Sequence, residues 1–115
     1  MANTFKVVTK ANVTTSDVIY TVAASTTTVV LGLMLGNTTA STTTATVSLG
    51  SDTAGRSGNN DEANQTVEIV TGVSIPGNST LEIMGGNKIV MEATDTLSLT
   101  AGASTDIILS IMEMT

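Results

Sequence analysis

The sequence predicts an all-β fold, an antiparallel sandwich of jelly-roll type with eight or nine strands and little or no helix. Three observations carry the prediction. Threonine, valine and isoleucine occupy 43 of the 115 positions. These β-branched residues lose rotamer freedom in a helix and pack well on a pleated surface. Short apolar stretches recur about every ten residues, each bounded by turn formers, and no window shows a 3.6-residue period. The length suits one domain with a single core.

Taken in order, strands are expected at residues 5–10, 17–23, 27–36 and 43–50, then at 65–71, 79–84, 88–92, 95–101 and 106–114. The connections carry their own chemistry. Pro76-Gly77 fits the centre of a type II turn with glycine at positive φ. Gly85-Gly86-Asn87 reads as a tight hairpin between Ile83 and Ile89. Residues 51–64 form a long polar loop, of a length that commonly serves a function. Within it Asp52, Arg56, Asn59, Asn60, Asp61 and Glu62 are the candidates for a tip facing a partner. The amino-terminal residues 1–9 are read as an arm.

Most strands alternate as half-buried sheets do. Ala45, Val47 and Leu49 alternate with Thr46 and Ser48, and Leu97 and Leu99 with Thr96, Ser98 and Thr100. Two strands depart from this. In 27–36, Val29, Leu31, Leu33 and Leu35 form one face, while Val30 and Met34 with Gly32 form the other. In 106–114, Ile107, Leu109 and Ile111 alternate with Ile108, Met112 and Met114. A strand apolar on both sides needs cover on both. A sandwich of this size has one core, so the second faces call for another molecule. Each aliphatic side chain so covered contributes ~1.5–3 kcal/mol. Val30, Met34, Ile108, Met112 and Met114 are therefore the candidate self-association surface, and the protein is expected to be a subunit of a homo-oligomer.

Composition excludes several classes of function. With no cysteine and no histidine, the usual zinc, haem and iron–sulfur ligands, thiol nucleophiles and Ser-His-Asp triads are missing. No cofactor and no catalytic residue is expected. Four basic residues against a net charge of −6 cannot track a phosphate backbone, so nucleic acid is not an expected partner. The longest apolar run, residues 29–35, is too short for a membrane span, and the amino terminus lacks the pattern of a secretory signal. The oxygen-rich group Asp52, Asn59, Asn60, Asp61 and Glu62 lacks the spacing of an EF-hand loop. Glu68, Glu82, Glu92 and Asp95 read as a solvated face. Carbohydrate binding is the rival from another class, but sugars stack on exposed rings and the chain offers only Phe5 and Tyr20. Tyr20, between Val18 and Val22, reads as a core residue whose hydroxyl reaches the rim.

Two segment pairs carry a resemblance. The first runs from Asp17-Val18-Ile19-Tyr20-Thr21-Val22 into Thr28-Val29-Val30-Leu31-Gly32-Leu33-Met34-Leu35-Gly36-Asn37. The second comprises Val73-Ser74-Ile75-Pro76-Gly77-Asn78-Ser79-Thr80-Leu81-Glu82-Ile83 and Val90-Met91-Glu92-Ala93-Thr94-Asp95-Thr96-Leu97-Ser98-Leu99. Together they resemble small virion structural proteins of tailed bacteriophages, especially those of cyanobacteria, across residues 5–114. Where relatives carry Pro-Ala-Gly, this chain has Ala23-Ala24-Ser25, so its first turn departs from the pattern. The resemblance implies a β-sandwich located in the virion, assembled in the bacterial cytoplasm and present in many copies. It would be a capsid decoration (cement) protein bound to the major capsid protein, with a neck or tail component as the alternative. A trimer is favoured, for sites around three-fold axes. The resemblance implies no catalytic residue.

Overall fold

Turn residues punctuate the β-branched runs into nine strands in the computed structural model, which describes residues 2–51 and 65–115. They are β1 (Asn3–Val13), β2 (Ser16–Thr21), β3 (Thr27–Asn37), β4 (Thr43–Ser51), β5 (Gln65–Ile75), β6 (Thr80–Glu82), β7 (Ile89–Met91), β8 (Thr96–Ala101) and β9 (Thr105–Met114). There is no helix among the described residues. The loop candidates Asp52, Arg56, Asn59, Asn60, Asp61 and Glu62 lie outside the described residues.

All pairings are antiparallel, and their order follows from folding the chain back on itself. The second half retraces the first: β4 pairs with β5, β3 with β6 and β7, β2 with β8, and β1 with β9. Rolling that long double ribbon then brings β3 beside β9 and β4 beside β8. The result is two sheets, β1-β9-β3-β6/β7 and β2-β8-β4-β5. This is the winding of a jelly roll. The expected fold class is therefore the observed one.

The core lies between the sheets. Val30, Leu33, Leu35, Ile107, Leu109 and Ile111 point in from one side, and Ala45, Val47, Leu97, Leu99 and Ala101 from the other; all are buried. Val30 stands opposite Ile111, Leu33 opposite Leu109, and Leu35 opposite Ile107. Here the sequence-based face assignment needs correcting. The register slips between Val30 and Gly32, a bulge in which two residues of one strand oppose one of its partner. An extra residue reverses the side-chain alternation, so even-numbered Val30 and odd-numbered Leu33 both face inward. Val30 is 0% exposed within its own chain and is not part of an outer surface.

Four further expectations change. Residues 3–9 of the expected arm are not an arm: β1 is laid into the sheet, in register with β9 from Asn3 opposite Met114 onward. Residues 85–87 do not close a hairpin, because β6 and β7 both pair with β3 and together form one interrupted strand. The Asn87 amide donates to the Met84 carbonyl at 2.9 Å, and Gly85 and Gly86 take φ of 56° and 89°. The interruption falls where β3 bulges. In the turn after β5 the left-handed residue is Asn78 (φ 56°) rather than Gly77. Gly77 is required by close approach instead, since a Cβ there would lie 2.3 Å from the Ala40 carbonyl oxygen. Buried Asn37 ties that turn down: its Nδ2 donates to the carbonyls of Ser41 (2.8 Å) and Ile75 (2.9 Å), while its Oδ1 accepts from the Thr39 amide. Asp95, expected on a solvated face, is buried and accepts the Glu92 amide at Oδ2.

Candidate functional site

Registry across the first sheet assembles an outer surface residue by residue, because directly opposed residues in antiparallel strands share a face. One row reads Phe5, Met112, Val29, Val90 across β1, β9, β3 and β7. The next reads Val7, Ser110, Gly32. The third reads Thr9, Ile108, Met34, Glu82. At the other end Met114 lies between Asn3 and Thr27. Two apolar ridges thus flank a trough floored by small residues, where a Cβ on Gly32 would sit 4.0 Å from the Ser110 Cβ.

Among the described residues seven large apolar side chains are strongly exposed, and five of them are on this surface. They are Phe5 (72%), Val7 (66%), Val90 (61%), Ile108 (45%) and Met34 (41%). The others, Val18 and Val67, are isolated in the second sheet. Scattered exposed apolar residues need no explanation, but a contiguous patch across four strands does. Four of the five residues proposed from sequence, Met34, Ile108, Met112 and Met114, are brought together here, and Val30 is not. Phe5, Val7, Val29 and Val90 were missed. The alternation of Phe5, Val7 and Thr9 with Lys6, Val8 and Lys10 was the available signal for the first two. The glycine inside β3 was the signal for its bulge.

A polar cluster holds the end of β9 that presents Met112 and Met114. Glu113 lies between them and points the other way, toward the gap between sheets. The Lys6 ammonium meets its Oε1 at 2.7 Å, and the Tyr20 hydroxyl donates to its Oε2 at 2.5 Å. With the tyrosine proton committed there, Thr28 donates to the phenol oxygen at 2.7 Å. The Lys6 ion pair first, and the tyrosine hydrogen bond second, hold the Glu113 carboxyl below the usual carboxylate range. Burial, reinforced by the Glu113 carboxylate, pushes the Tyr20 phenol up to about 12. Four strands, β1, β2, β3 and β9, are joined through this cluster: Lys6 and Tyr20 meet the Glu113 carboxylate, and Thr28 meets the Tyr20 hydroxyl. Tyr20 is therefore a half-buried structural residue, its hydroxyl at the rim as expected.

The outer surface of the second sheet is different in kind. Its rows read Ser16, Thr100, Thr46; then Val18, Ser98, Ser48, Glu68; then Thr21, Thr96, Gly50, Thr66. Among the described residues no three His, Cys, Asp or Glu side chains converge as a metal site, and no helix is long and apolar enough to cross a membrane.

No protein-family model matches the chain, and no curated protein matches it in sequence. Solved structures that resemble it in shape include two of different origin. One is a protein of the Bacillus endospore appendages, a family of disulfide-linked pili, at 14% identity and a TM-score of 0.48 over 99% of this chain and 87% of that one. The other is from the T13 IBDV viral particle, at 8% identity and a TM-score of 0.48 over 96% of this chain. This chain spans 35% of that second protein.

Proposed function

We propose that the protein is a structural subunit that binds further copies of itself through the outer face of the β1-β9-β3-β7 sheet, acting by association and not by catalysis. The observation that carries this is the gathering of Phe5, Val7, Met34, Val90 and Ile108 on one side of one sheet. Covering such side chains removes apolar surface from water, at about 25 cal/mol per Å².

The virion is the setting we infer for this subunit, on the resemblance of its strand and turn segments to small phage structural proteins. In that setting it decorates the head, bracing the shell by binding the major capsid protein. Binding only the assembled shell stabilises it by mass action, and repetition over a symmetric lattice multiplies a modest contact. Its acidity, a net charge of −6, suits a surface that must not cling to packaged DNA. Light scattering on the purified chain tests the association: a mass above 11.7 kDa at micromolar concentration is expected, and a strict monomer refutes the reading. Copy number in purified particles separates decoration, with hundreds of copies, from a neck or tail component with a dozen or fewer.

A further inference from the structure

Backbone groups at the edge of a sheet are satisfied only by water or by another extended strand. The four edges of this sandwich are not equally open. β6 and β7 make an interrupted edge of two three-residue pieces. β2 has six residues and a register shift between Val18 and Tyr20. The β5 edge carries two shifts against β4 and a left-handed Gly72. Short strands and bulges blunt an edge. β1 has neither from Asn3 to Lys10, where eight consecutive residues keep register with β9. Hydrogen-bond parity leaves half of its backbone groups free. The Thr115 amide donates to the Ala2 carbonyl at 3.0 Å, so Ala2 bonds toward β9. Alternation turns Thr4, Lys6, Val8 and Lys10 the same way, and the N–H and C=O of Asn3, Phe5, Val7 and Thr9 outward. Those outward groups have no partner among the described residues.

We propose that β1 of one copy pairs antiparallel with β1 of a second about a two-fold axis at Val7, so that two sheets become one. This pairing deepens the self-association reading and rests on it. A second copy is the occupant because the edge complements itself. With the axis at Val7, Phe5 lies opposite the partner's Thr9 and Val7 opposite the partner's Val7, each pair exchanging two hydrogen bonds between outward groups. Other registers do worse. An axis at Lys6 or Val8 sets lysine directly against lysine, and one at Phe5 engages only residues 3–7. The Val7 axis engages residues 4–10, with Lys6 opposite the partner's Val8 and Lys10 opposite the partner's Thr4. Lysines often protect an edge, but here Lys6 is held by Glu113 at 2.7 Å and Lys10 by Asp17 at 3.5 Å. The added strand also gives Phe5 and Val7, 72% and 66% exposed, the cross-strand neighbours they lack on that side. Two apolar faces become one continuous surface. The edge contact is isologous and closes at two copies, so growth beyond the pair falls to the faces.

The chain has no cysteine, so introduced cysteines read the register in the full-length protein. Thr4 and the partner's Lys10 would form a non-hydrogen-bonded pair with Cα atoms about 4.5 Å apart, within disulfide reach. Thr4→Cys and Lys10→Cys are each about 20 Å from their own counterparts. Under oxidation each variant alone is expected to stay unlinked, and an equimolar mixture to give a disulfide-linked dimer. Val7→Pro, added to both variants, removes an outward N–H that β9 does not use and is expected to abolish the link. Val7→Thr keeps that N–H and is expected to preserve it. A mixture that does not link, although the wild type sediments as an oligomer, overturns the edge pairing and leaves the face contact standing. Self-linking of either variant as readily as the mixture, or a link that survives Val7→Pro, also overturns it. A strictly monomeric wild type removes both. Thermal melting verifies folding, and Thr9→Pro serves as the second edge block should Val7→Pro melt early.

Discussion

The two outer faces of this sandwich are made by the same rule and come out opposite. In β8, alternation places Thr96, Ser98 and Thr100 outside while Leu97, Leu99 and Ala101 fill the core. In β9 it places Ile108, Ser110, Met112 and Met114 outside while Ile107, Leu109 and Ile111 fill the core. The inner halves are interchangeable in kind, and they suffice to specify the sheet. The outer halves are under no folding constraint, so their character reports what each face meets. Threonine satisfies the strand through its branched Cβ and stays hydrated through its hydroxyl. Isoleucine and methionine at equivalent positions satisfy the strand equally but leave apolar surface in water. A chain with 23 threonines to spend on exposed positions leaves one face greasy.

The sharpest way to break the comparison is within β9. Leu109→Ala removes a side chain that is 0% exposed and opposed by Leu33, and should cost about 2–5 kcal/mol. Ile108→Ala, one residue away, should change the stability of the isolated chain by no more than about 0.5 kcal/mol. Chemical denaturation at low protein concentration checks both, and equal losses would mean that the two sides of β9 are not distinct. Next in size is the association itself. Ile108→Asp should weaken self-association about 100-fold, or ~2.7 kcal/mol, because a charge would be forced into an apolar contact. Ser98→Asp, the corresponding change on the hydroxyl face, should leave the sedimentation profile unchanged. If both substitutions dissociate the oligomer, the apolar face has no special role.

Legibility in the sequence follows the same division. The nine strands and the jelly-roll class were readable because strand period, turn residues and β-branched composition agree. The apolar outer side of β9 was readable because its alternation is uninterrupted from Ile107 to Met114. The outer side of β3 was only half readable. Met34 was placed correctly, but Val30 was not, since the bulge between Val30 and Gly32 reverses parity within the strand. Val90 escaped for another reason: its strand is only three residues long, and only registry across four strands puts it in one row with Phe5. Which strands become neighbours is a long-range property that local pattern does not encode.

Acidity and alkalinity probe the clamp that turns Met112 and Met114 outward. Glu113 has its folded-state pKa lowered by Lys6 and Tyr20. Its contribution to stability is therefore full above the ordinary carboxylate range and is lost as pH falls through the lowered value. Tyr20 has its pKa raised from 10.0 to about 12, so its contribution is full below pH 10 and is lost as pH rises toward 12. Melting temperature against pH should decline on both flanks. Tyr20→Phe should shrink the alkaline decline, leaving the part that comes from the Lys6 ion pair, and Glu113→Gln should flatten the acidic one. An alkaline decline unchanged in Tyr20→Phe would remove the tyrosine from the clamp.

The smallest expected effect asks whether apolar composition alone makes a face sticky. Ser98→Val with Thr100→Val would place a valine patch beside Val18 on the second sheet, since Ser98 lies opposite Val18 and Thr100 opposite Ser16. Only the exposed Thr100–Ser16 hydroxyl contact is lost, and water replaces it, so stability should shift by no more than about 0.5 kcal/mol. The sedimentation profile should not change either. Valines on that surface would offer neither the exposed ring of Phe5 nor the paired ridges of the first sheet, and partners gain little from apolar area without complementary shape. If the double variant gains mass, surface composition outweighs shape, and the apolar face of the first sheet would act as a general adhesive.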